Sequence, residues 1–269
     1  MVRVSLSLPL ESFDSFTDAL IEAEAIAVDI DPASNTVGAL FMAKTNIAEA
    51  LAEAGRQSGL AACPDYSLAE VADQDWVRLT QAQFQPIQVT PRLHIVPTWS
   101  SPPDPDAINL RLDPSLAFGT GSHPTTRLCL RWLASMIRGD ETVVDYGCGS
   151  GILAIAALKL GARHAIGVDI DDGALDVARE NARRNGVDAV FCLPQELANI
   201  QAGIVVANIL LQPLLELAPE IAAIARCRIA LSGIMADEVA ELARSYEEWF
   251  VIDARESDEA WALVTGARR

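Results

Sequence analysis

The stretch from Glu141 to Asp171, ETVVDYGCGSGILAIAALKLGARHAIGVDID, constrains the fold more than any other part of the sequence. An apolar, β-branched run at 142–144 predicts a strand, and glycines at 147, 149 and 151 predict a tight turn. The apolar segment ILAIAALKLGA then predicts a helix, and the run at 165–169 predicts a second strand. Strand, glycine turn, helix and strand together predict one βαβ unit.

The spacing of these glycines narrows the class of ligand. A dinucleotide fingerprint, G-x-G-x-x-G, needs its third glycine at position 152, where Ile152 stands, and the pattern here is G-x-G-x-G. With acids at Asp145 and Asp169, this pattern resembles the S-adenosylmethionine (SAM) site of class I methyltransferases. Glycine at 147 and 149 lets the backbone turn sharply and approach a ligand, and Asp169 is placed to accept hydrogen bonds from ribose hydroxyls. The alternative is a glycine turn that only packs a helix against a sheet.

Composition indicates a globular protein of the cytoplasm. A length of 269 residues with 51% apolar residues suits one large domain, or a medium domain with a small appendage. The first residues, MVRVSLSLPLESFD, lack the apolar core of a signal peptide, and no stretch is apolar enough to predict a membrane span. Five widely spaced cysteines without a CxxC pair indicate reduced thiols rather than a metal site, so we expect no metal.

The net charge of −17 is concentrated towards the amino terminus. Residues 1–85 carry 13 acids and 4 bases, a balance of −9, whereas residues 114–269 carry 21 acids and 14 bases, a balance of −7. Such a surface repels nucleic acid and attracts a basic protein, so we expect a basic protein partner and no direct nucleic-acid contact. A solvated surface that only keeps the protein soluble is an equally good interpretation of the charge alone.

The amino-terminal residues predict a small α/β module. Strands are expected at 3–8, 26–30 and 37–42, and helices at 11–25 and 47–55. This β-α-β-β-α order predicts a ferredoxin-like domain over residues 1–65 that lacks its last strand. The proline-rich residues 66–108 are expected to form a connector, and residues 109–269 a second domain. Nothing in the first module has a catalytic pattern, so we expect it to bind a partner.

The segment LDPSLAFGTGSHPTTRLCLRWL predicts a loop that ends on a helix amino terminus. Gly119 and Gly121 allow a tight loop, Ser122 or His123 can cap the helix, and Pro124 suits its first position. Free N–H groups there, with the hydroxyls of two following threonines, suit a carboxylate such as that of the methionine part of SAM. A purely structural cap is the alternative, and we expect His123 to be a cap rather than a base.

Five segments resemble, in order, the motifs of the ribosomal protein L-11 methyltransferase family (PrmA): LDPSLAFGTGSHPTTRLCLRWL, DYGCGSGILAIAALKLGA, GVDIDDGALDVARENARRNGV, VVANILLQPLLELAP and LSGIM. The connector DQDW…RLHIVPTW and the final AWALVTG are also similar. The resemblance implies a Rossmann-like, seven-stranded class I methyltransferase domain, mostly parallel with an antiparallel last strand, behind the small ferredoxin-like α+β domain. It also implies that SAM is the methyl donor and that amino groups of a large-subunit ribosomal protein are the acceptors.

Carried over by motif, the cofactor contacts of this family fall on Thr126, Gly147, Asp169 and Asn208. Asn208 follows an apolar strand, and we expect it also to accept a hydrogen bond from the incoming amine, which makes it the candidate catalytic residue. A turn-forming role at a strand end is the alternative for this asparagine. The sequence departs from the family at Ser115, at Tyr146 and in an amino-terminal domain that is expected to be shortened between residues 25 and 65.

Three other functions stay open from the sequence. A related methyltransferase could act on lysines of a different basic protein or on a small amine, with the acidic module docking that partner. A non-catalytic SAM-binding scaffold is the second, although the complete set of glycines, Asp169 and Asn208 argues against it. A nicotinamide dehydrogenase is the third, and Ile152 interrupts its fingerprint. We expect a monomer.

Overall fold

The computed structural model describes residues 1–8, 16–17, 19–20, 23, 25–31, 36–42, 44–58, 65–70, 85–113, 123–197 and 200–269. Most of the predicted helix at 11–25, Ser115, and the predicted loop residues Gly119, Gly121 and Ser122 lie outside these residues. Two compact units divide the chain, Met1–Gln83 and Phe84–Arg269. No helix in the described ranges has both the length and the apolar character needed to cross a bilayer.

The amino-terminal unit has the ferredoxin-like topology that the sequence predicts. Its sheet has the order β2-β3-β1-β4, and every neighbouring pair of strands is antiparallel. Buried side chains between the sheet and the helical residues form its core, among them Val4, Phe16, Leu20, Phe41 and Leu51. The elements are β1 (Val2–Ser7), β2 (Ala27–Asp31), β3 (Thr36–Phe41), α1 (Ile47–Gln57) and β4 (Tyr66–Glu70).

The expectation that this module lacks its last strand is wrong. Strand β4 pairs with β1 along its length, with Val4 opposite Leu68 and Leu6 opposite Tyr66. The strand therefore begins where the connector was expected to begin, at residue 66. Local sequence did not reveal it because β4 is an edge strand whose partner lies more than sixty residues earlier in the chain.

The later part of the expected connector folds with the second unit. Strands β5 (Ile87–Thr90) and β6 (Leu93–Val96) form an antiparallel pair, and β6 pairs in parallel with β7 (Ile108–Arg111). Leu93 and Ile95 are buried in the core of the second unit. Apolar side chains within residues 87–108 thus find their partners in the second unit.

The second unit contains the seven-stranded sheet that the family resemblance implies. Its order is β10-β9-β8-β11-β12-β14-β13, and β14 is antiparallel to both of its neighbours, whereas the first five strands are parallel. Apolar clusters fill both faces of the sheet. The strands are β8 (Thr142–Tyr146), β9 (His164–Val168), β10 (Val190–Cys192), β11 (Ala202–Asn208), β12 (Ala225–Met235), β13 (Phe250–Asp258) and β14 (Trp261–Arg268).

Helices of the second unit cover the two faces of this sheet. Residues 211–224 form two helices that meet at Leu217, because Pro219 in the first turn of the second helix has no N–H group to continue a hydrogen-bond ladder. The helices are α2 (Pro124–Met136), α3 (Ile152–Lys159), α4 (Asp172–Asn185), α5 (Leu211–Glu216), α6 (Ala218–Ile224) and α7 (Val239–Tyr246).

Candidate active site

The glycine turn, residues 147–151, connects β8 to α3 at the carboxyl edge of the sheet. All three glycines have left-handed backbone conformations, with φ of 76° at Gly147, 50° at Gly149 and 76° at Gly151. The N–H groups of Gly147 and Cys148 both donate to the carbonyl oxygen of Val168, at 2.7 and 2.9 Å. The turn is therefore held against the end of β9, as the βαβ prediction requires.

Glycine is needed in this turn for packing as well as for its positive φ. A Cβ atom on Gly147 would lie 2.3 Å from Cγ2 of Ile209, and one on Gly151 would lie 2.9 Å from both Cβ of Ala178 and the ring of Phe191. Gly147 was expected to lack a side chain so that its backbone could approach a ligand. The side chain of Ile209 fills the space that a side chain at position 147 would need. Packing inside the protein is therefore a second reason for glycine at this position.

Asp169 follows β9 directly and closes one side of the turn. Its Oδ2 accepts a hydrogen bond from the N–H of Gly149 at 2.8 Å, and its Oδ1 accepts one from the N–H of Asp171 at 3.1 Å. The carboxylate is partly exposed, and each oxygen has a further lone pair for a ligand hydroxyl. This geometry fits the ribose contact expected of Asp169.

The other acid of the pattern, Asp145, is buried within β8 and contacts the helix that follows the glycine turn. Its side chain is buried, and Oδ2 accepts a hydrogen bond from the N–H of Ala154 in the first turn of α3 at 3.0 Å. Burial, with a smaller contribution from the nearby charge of Asp169, raises the pKa of Asp145 to about 7, against the lowering effect of the Ala154 hydrogen bond. Among the residues that the structure describes, Oδ1 has no hydrogen-bond partner. Asp145 therefore stabilises the first turn of α3 through this hydrogen bond.

Asn208 and Thr126 meet at the same edge of the sheet. Asn208 is the last residue of β11, and Thr126 is a buried residue in the first turn of α2. The Nδ2 group of Asn208 donates to Oγ1 of Thr126 at 3.3 Å. Parallel strands place β8, β9 and β11 side by side, so Gly147, Asp169 and Asn208 follow three adjacent strand ends. The structure thus brings together all four residues that the sequence singled out.

The expected cap at the start of α2 is present. Nδ1 of His123 accepts a hydrogen bond from the N–H of Thr125 at 3.4 Å and lies 2.7 Å from Oγ1 of Thr125, and Pro124 occupies the first helical turn. The His123 ring also packs edge-on against Trp261, with centroids 4.6 Å apart and planes at 70°. Trp261 was not singled out from the sequence, since nothing local marks a tryptophan at the start of a final strand as part of a site.

Gly233 is a second residue whose importance sequence reasoning missed. It lies in β12 with φ of 89°, and a Cβ atom there would be 2.3 Å from the backbone oxygen of Ile209. Close approach of these two backbones fixes the residue that follows Asn208. A single glycine inside the apolar run ALSGIM is the signal that could have revealed it, because a strand glycine often marks such an approach.

The strand order and this edge define the class of the protein. Open α/β sheets bind ligands at the carboxyl ends of their parallel strands. Here that edge combines a positive-φ glycine turn, a carboxylate after β9, an amide after β11 and the amino terminus of α2. A seven-stranded sheet with its antiparallel strand next to the last position completes the arrangement. The second unit is a class I SAM-dependent methyltransferase domain.

Comparison with known proteins identifies the family. The profile described as Ribosomal protein L11 methyltransferase (PrmA) matches residues 7–269, so the chain belongs to this family. A ribosomal protein L11 methyltransferase from Thiobacillus denitrificans is 50% identical over 281 aligned positions, gaps included, and the match covers 95% of each protein. One from Chromobacterium violaceum is 52% identical over 232 residues, 86% of this chain and 78% of the relative.

A solved structure supports the same conclusion. The crystal structure of ribosomal protein L11 methylase from Lactobacillus delbrueckii subsp. bulgaricus is 34% identical to this chain. It superposes with a TM-score of 0.64 over 69% of this chain and 100% of the other. The predicted family, fold class and enzyme class are confirmed.

Proposed function

We propose that this chain transfers methyl groups from SAM to amino groups of ribosomal protein L11, at an α-amine, at lysines or at both. Membership of the family supports the substrate. The observation that carries the chemistry is the Asn208–Thr126 hydrogen bond beside the glycine turn, because it orients one amide at the edge where donor and acceptor must meet. Displacement at a sulfonium methyl group needs no metal, and we propose none.

The donor is proposed to bind to Thr126, Gly147, Asp169 and Asn208. Asp169 would accept hydrogen bonds from the ribose hydroxyls, and the hydroxyl of Thr126, whose oxygen accepts from Asn208, would donate its proton to the carboxylate. Gly147 would form the floor of the site through its backbone. When bound, the donor supplies an activated methyl group, and the four residues fix the line along which that group can leave.

The acceptor nitrogen must present a neutral lone pair along that line. A lysine amine, with a pKa of ~10.4, costs about 4.6 kcal/mol to hold neutral at pH 7, whereas an α-amine of ~7.7 costs about 1 kcal/mol. Because Nδ2 of Asn208 faces Thr126, its Oδ1 faces away from that helix. We propose that this oxygen, or the backbone oxygen of Asn208, accepts a hydrogen bond from the incoming amine and so directs the lone pair at the methyl group. The α-amine should be the easier target.

The amino-terminal unit is proposed to recognise the protein substrate. Its predicted limits, residues 1–65, and the connector at 66–108 remain a proposal for how function divides along the chain, although the fold divides at residue 83. The acidic balance of residues 1–85 favours a basic partner and disfavours direct contact with nucleic acid. We further propose a monomer that acts in the cytoplasm.

Labelled SAM and purified L11 test this proposal. Wild-type protein should transfer label to L11, and mass spectrometry of ribosomal proteins from cells lacking the chain should show L11 undermethylated. Asn208→Ala should reduce turnover at saturating SAM at least tenfold, whereas Gln212→Ala, an exposed position on α5, should match wild type. Full turnover by Asn208→Ala would refute the acceptor role.

Other patterns of labelling identify the alternatives. Label on a different basic protein or on a small amine, with L11 unlabelled, would show the related methyltransferase considered above. SAM binding without label transfer to anything in a cell extract would show a non-catalytic protein.

A further inference from the structure

Two buried asparagines on α4, Asn181 and Asn185, join parts of the second unit that are distant in sequence. Their side chains are only 7% and 4% exposed. They are one helical turn apart and so project from one face of α4. Asparagine is a weak helix former, and burial of an amide is unfavourable unless its groups are hydrogen-bonded. Their partners therefore explain why they stand at these positions.

Asn185 binds the end of strand β7 as a neighbouring strand would. Its Oδ1 accepts a hydrogen bond from the N–H of Arg111 at 2.7 Å, and its Nδ2 donates to the carbonyl of Arg111 at 2.8 Å. Nδ2 also donates to the carbonyl of Asn181 at 2.8 Å. Both the oxygen and the nitrogen of the Asn185 amide form hydrogen bonds, so three hydrogen bonds fix the orientation of this side chain.

Asn181 extends the same connection to the glycine turn. Its Nδ2 donates to the carbonyl of Ser150 at 3.0 Å, and Ser150 stands between Gly149 and Gly151. A continuous set of hydrogen bonds therefore runs from the glycine turn through α4 to the last residue of β7.

Strand β7 belongs to the three-stranded sheet β5-β6-β7, and strand β5 of this sheet contacts α2, the helix that carries Thr126. Leu110 and the following Leu112 belong to the same buried cluster as Val89 of β5 and Leu128 of α2. A second contact reinforces the end of β7, because Arg184 of α4 forms an ion pair with Asp113 at 3.0 Å. A shift of β7 would therefore act on α2 through β6 and β5, and so change the place of α2 relative to the glycine turn.

We propose that Asn181 and Asn185 are positioning residues that set α2, with Thr126 and its partner Asn208, at a fixed place relative to the glycine turn. The inference rests on the proposed function, in which Thr126 and Asn208 contact the donor and Asn208 also orients the acceptor, while the glycine turn contacts the donor. A variant at Asn185 would then lower kcat more than donor affinity, and a variant at Asn181 would lower donor affinity. If the two asparagines only stabilised the fold, their variants would not separate into one that mainly lowers kcat and one that lowers donor affinity.

Steady-state kinetics and calorimetry separate these two roles. Asn185→Leu, and the smaller polar Asn185→Ser, should lower kcat for L11 methylation at least tenfold and weaken the binding of S-adenosylhomocysteine by a smaller factor than kcat falls. Asn181→Leu should weaken S-adenosylhomocysteine at least tenfold. Leu175→Ala, a buried apolar position on the same helix, is the control for destabilisation and should keep kcat within twofold at a temperature where all variants are folded.

Hydrogen exchange gives a measurement that does not depend on the acceptor. In wild type, S-adenosylhomocysteine should slow exchange at the amides of residues 108–113 and 124–128, and the Asn185 variants should lose this response at both segments. Normal kcat in the Asn185 variants, or an equal loss of kcat in Leu175→Ala, would overturn the proposal. A wild-type protein that does not methylate L11 would instead refute the proposed substrate, and the exchange experiment would still decide the inference.

Discussion

The side-chain amide of Asn208 donates to the hydroxyl of Thr126 across 3.3 Å and so joins the end of β11 to the first turn of α2. The two residues are far apart in sequence, and each lies in a segment that resembles a family motif. Because the donor group of the amide is occupied by Thr126, the orientation of its acceptor oxygen depends on that hydroxyl. Several consequences of this arrangement can be measured.

Thr126→Val should reduce kcat/KM for methylation about fivefold, because a neutral hydrogen bond contributes roughly 1 kcal/mol and the free amide could then rotate. Valine keeps the shape and the β-branching of threonine, so α2 should remain intact. Initial rates with L11 and SAM measure the effect, and Thr126→Ser, which keeps the hydroxyl, is the control. Equal rates for the valine and serine variants would show that the hydroxyl does not orient Asn208.

Asp169→Asn should weaken donor binding by roughly 10- to 100-fold, since hydrogen bonds to a charged group contribute about 1.5–3 kcal/mol. The introduced amide has one N–H donor group in place of a carboxylate oxygen, so it cannot accept hydrogen bonds from the N–H groups of both Gly149 and Asp171. The glycine turn itself should therefore loosen. Isothermal calorimetry with S-adenosylhomocysteine measures the affinity. Asp172→Asn, an exposed position at the start of α4, should bind as wild type does. An unchanged dissociation constant for Asp169→Asn would remove this carboxylate from the site.

His123→Gln should leave the pH dependence of kcat unchanged. His123 uses Nδ1 to cap α2, and the glutamine side-chain oxygen can accept a hydrogen bond in its place. A general base would behave differently, because its loss would remove the acidic limb of the profile. Rates between pH 6 and pH 9 test this directly, and disappearance of that limb in the variant would make His123 a base.

We expect the buried carboxyl of Asp145 to make the free energy of unfolding depend on pH. Its pKa in the folded protein, about 7, lies above its ordinary value of 3.8. The folded state thus binds the proton of Asp145 more tightly than the unfolded state does. The stabilisation of the folded state by this proton is complete below pH ~4 and is lost as the pH rises through 7.

Asp145→Asn removes this titration and should therefore be more stable than wild type at pH 8, by an amount on the order of 4 kcal/mol, with the difference vanishing towards pH 4. Urea unfolding at several pH values measures it. Asp172→Asn, at an exposed position, serves as the reference. Parallel curves for wild type and Asp145→Asn between pH 5 and 8 would show that this carboxyl does not titrate in that range.

Local patterns in the sequence predicted the elements of the site well. The turn at 147–151, the strand before it and the helix after it follow from glycine spacing and apolar periodicity, which are properties of neighbouring residues. The prediction that an apolar strand brings Asn208 to its carboxyl end was correct for the same reason, and Asn208 is the last residue of that strand. That Thr126 belongs beside it came only from the family resemblance, since no local pattern pairs residues 126 and 208.

Long-range partners account for what the sequence did not predict. Strand β4 depends on pairing with β1, and the two amide bonds of Asn185 depend on the end of β7. Gly233 illustrates the same limit at the site. Its conformation is required by the backbone of Ile209, which reaches it only when β11 and β12 are aligned.

Gly233→Ala should therefore destabilise the second unit and disturb Asn208 together. Alanine at φ of 89° costs roughly 1–2 kcal/mol in backbone conformation, and overlap with the Ile209 backbone adds about 1–3 kcal/mol. Displacement of Ile209 would move the adjacent Asn208, so kcat should fall more than donor affinity. Gly203→Ala is the matched control, because its Cβ would lie 3.8 Å from the nearest atom, the carbonyl oxygen of Thr142, at an ordinary contact distance. Thermal unfolding and methylation rates compare the two variants, and equal behaviour would mean that the close approach at Gly233 does not position Asn208.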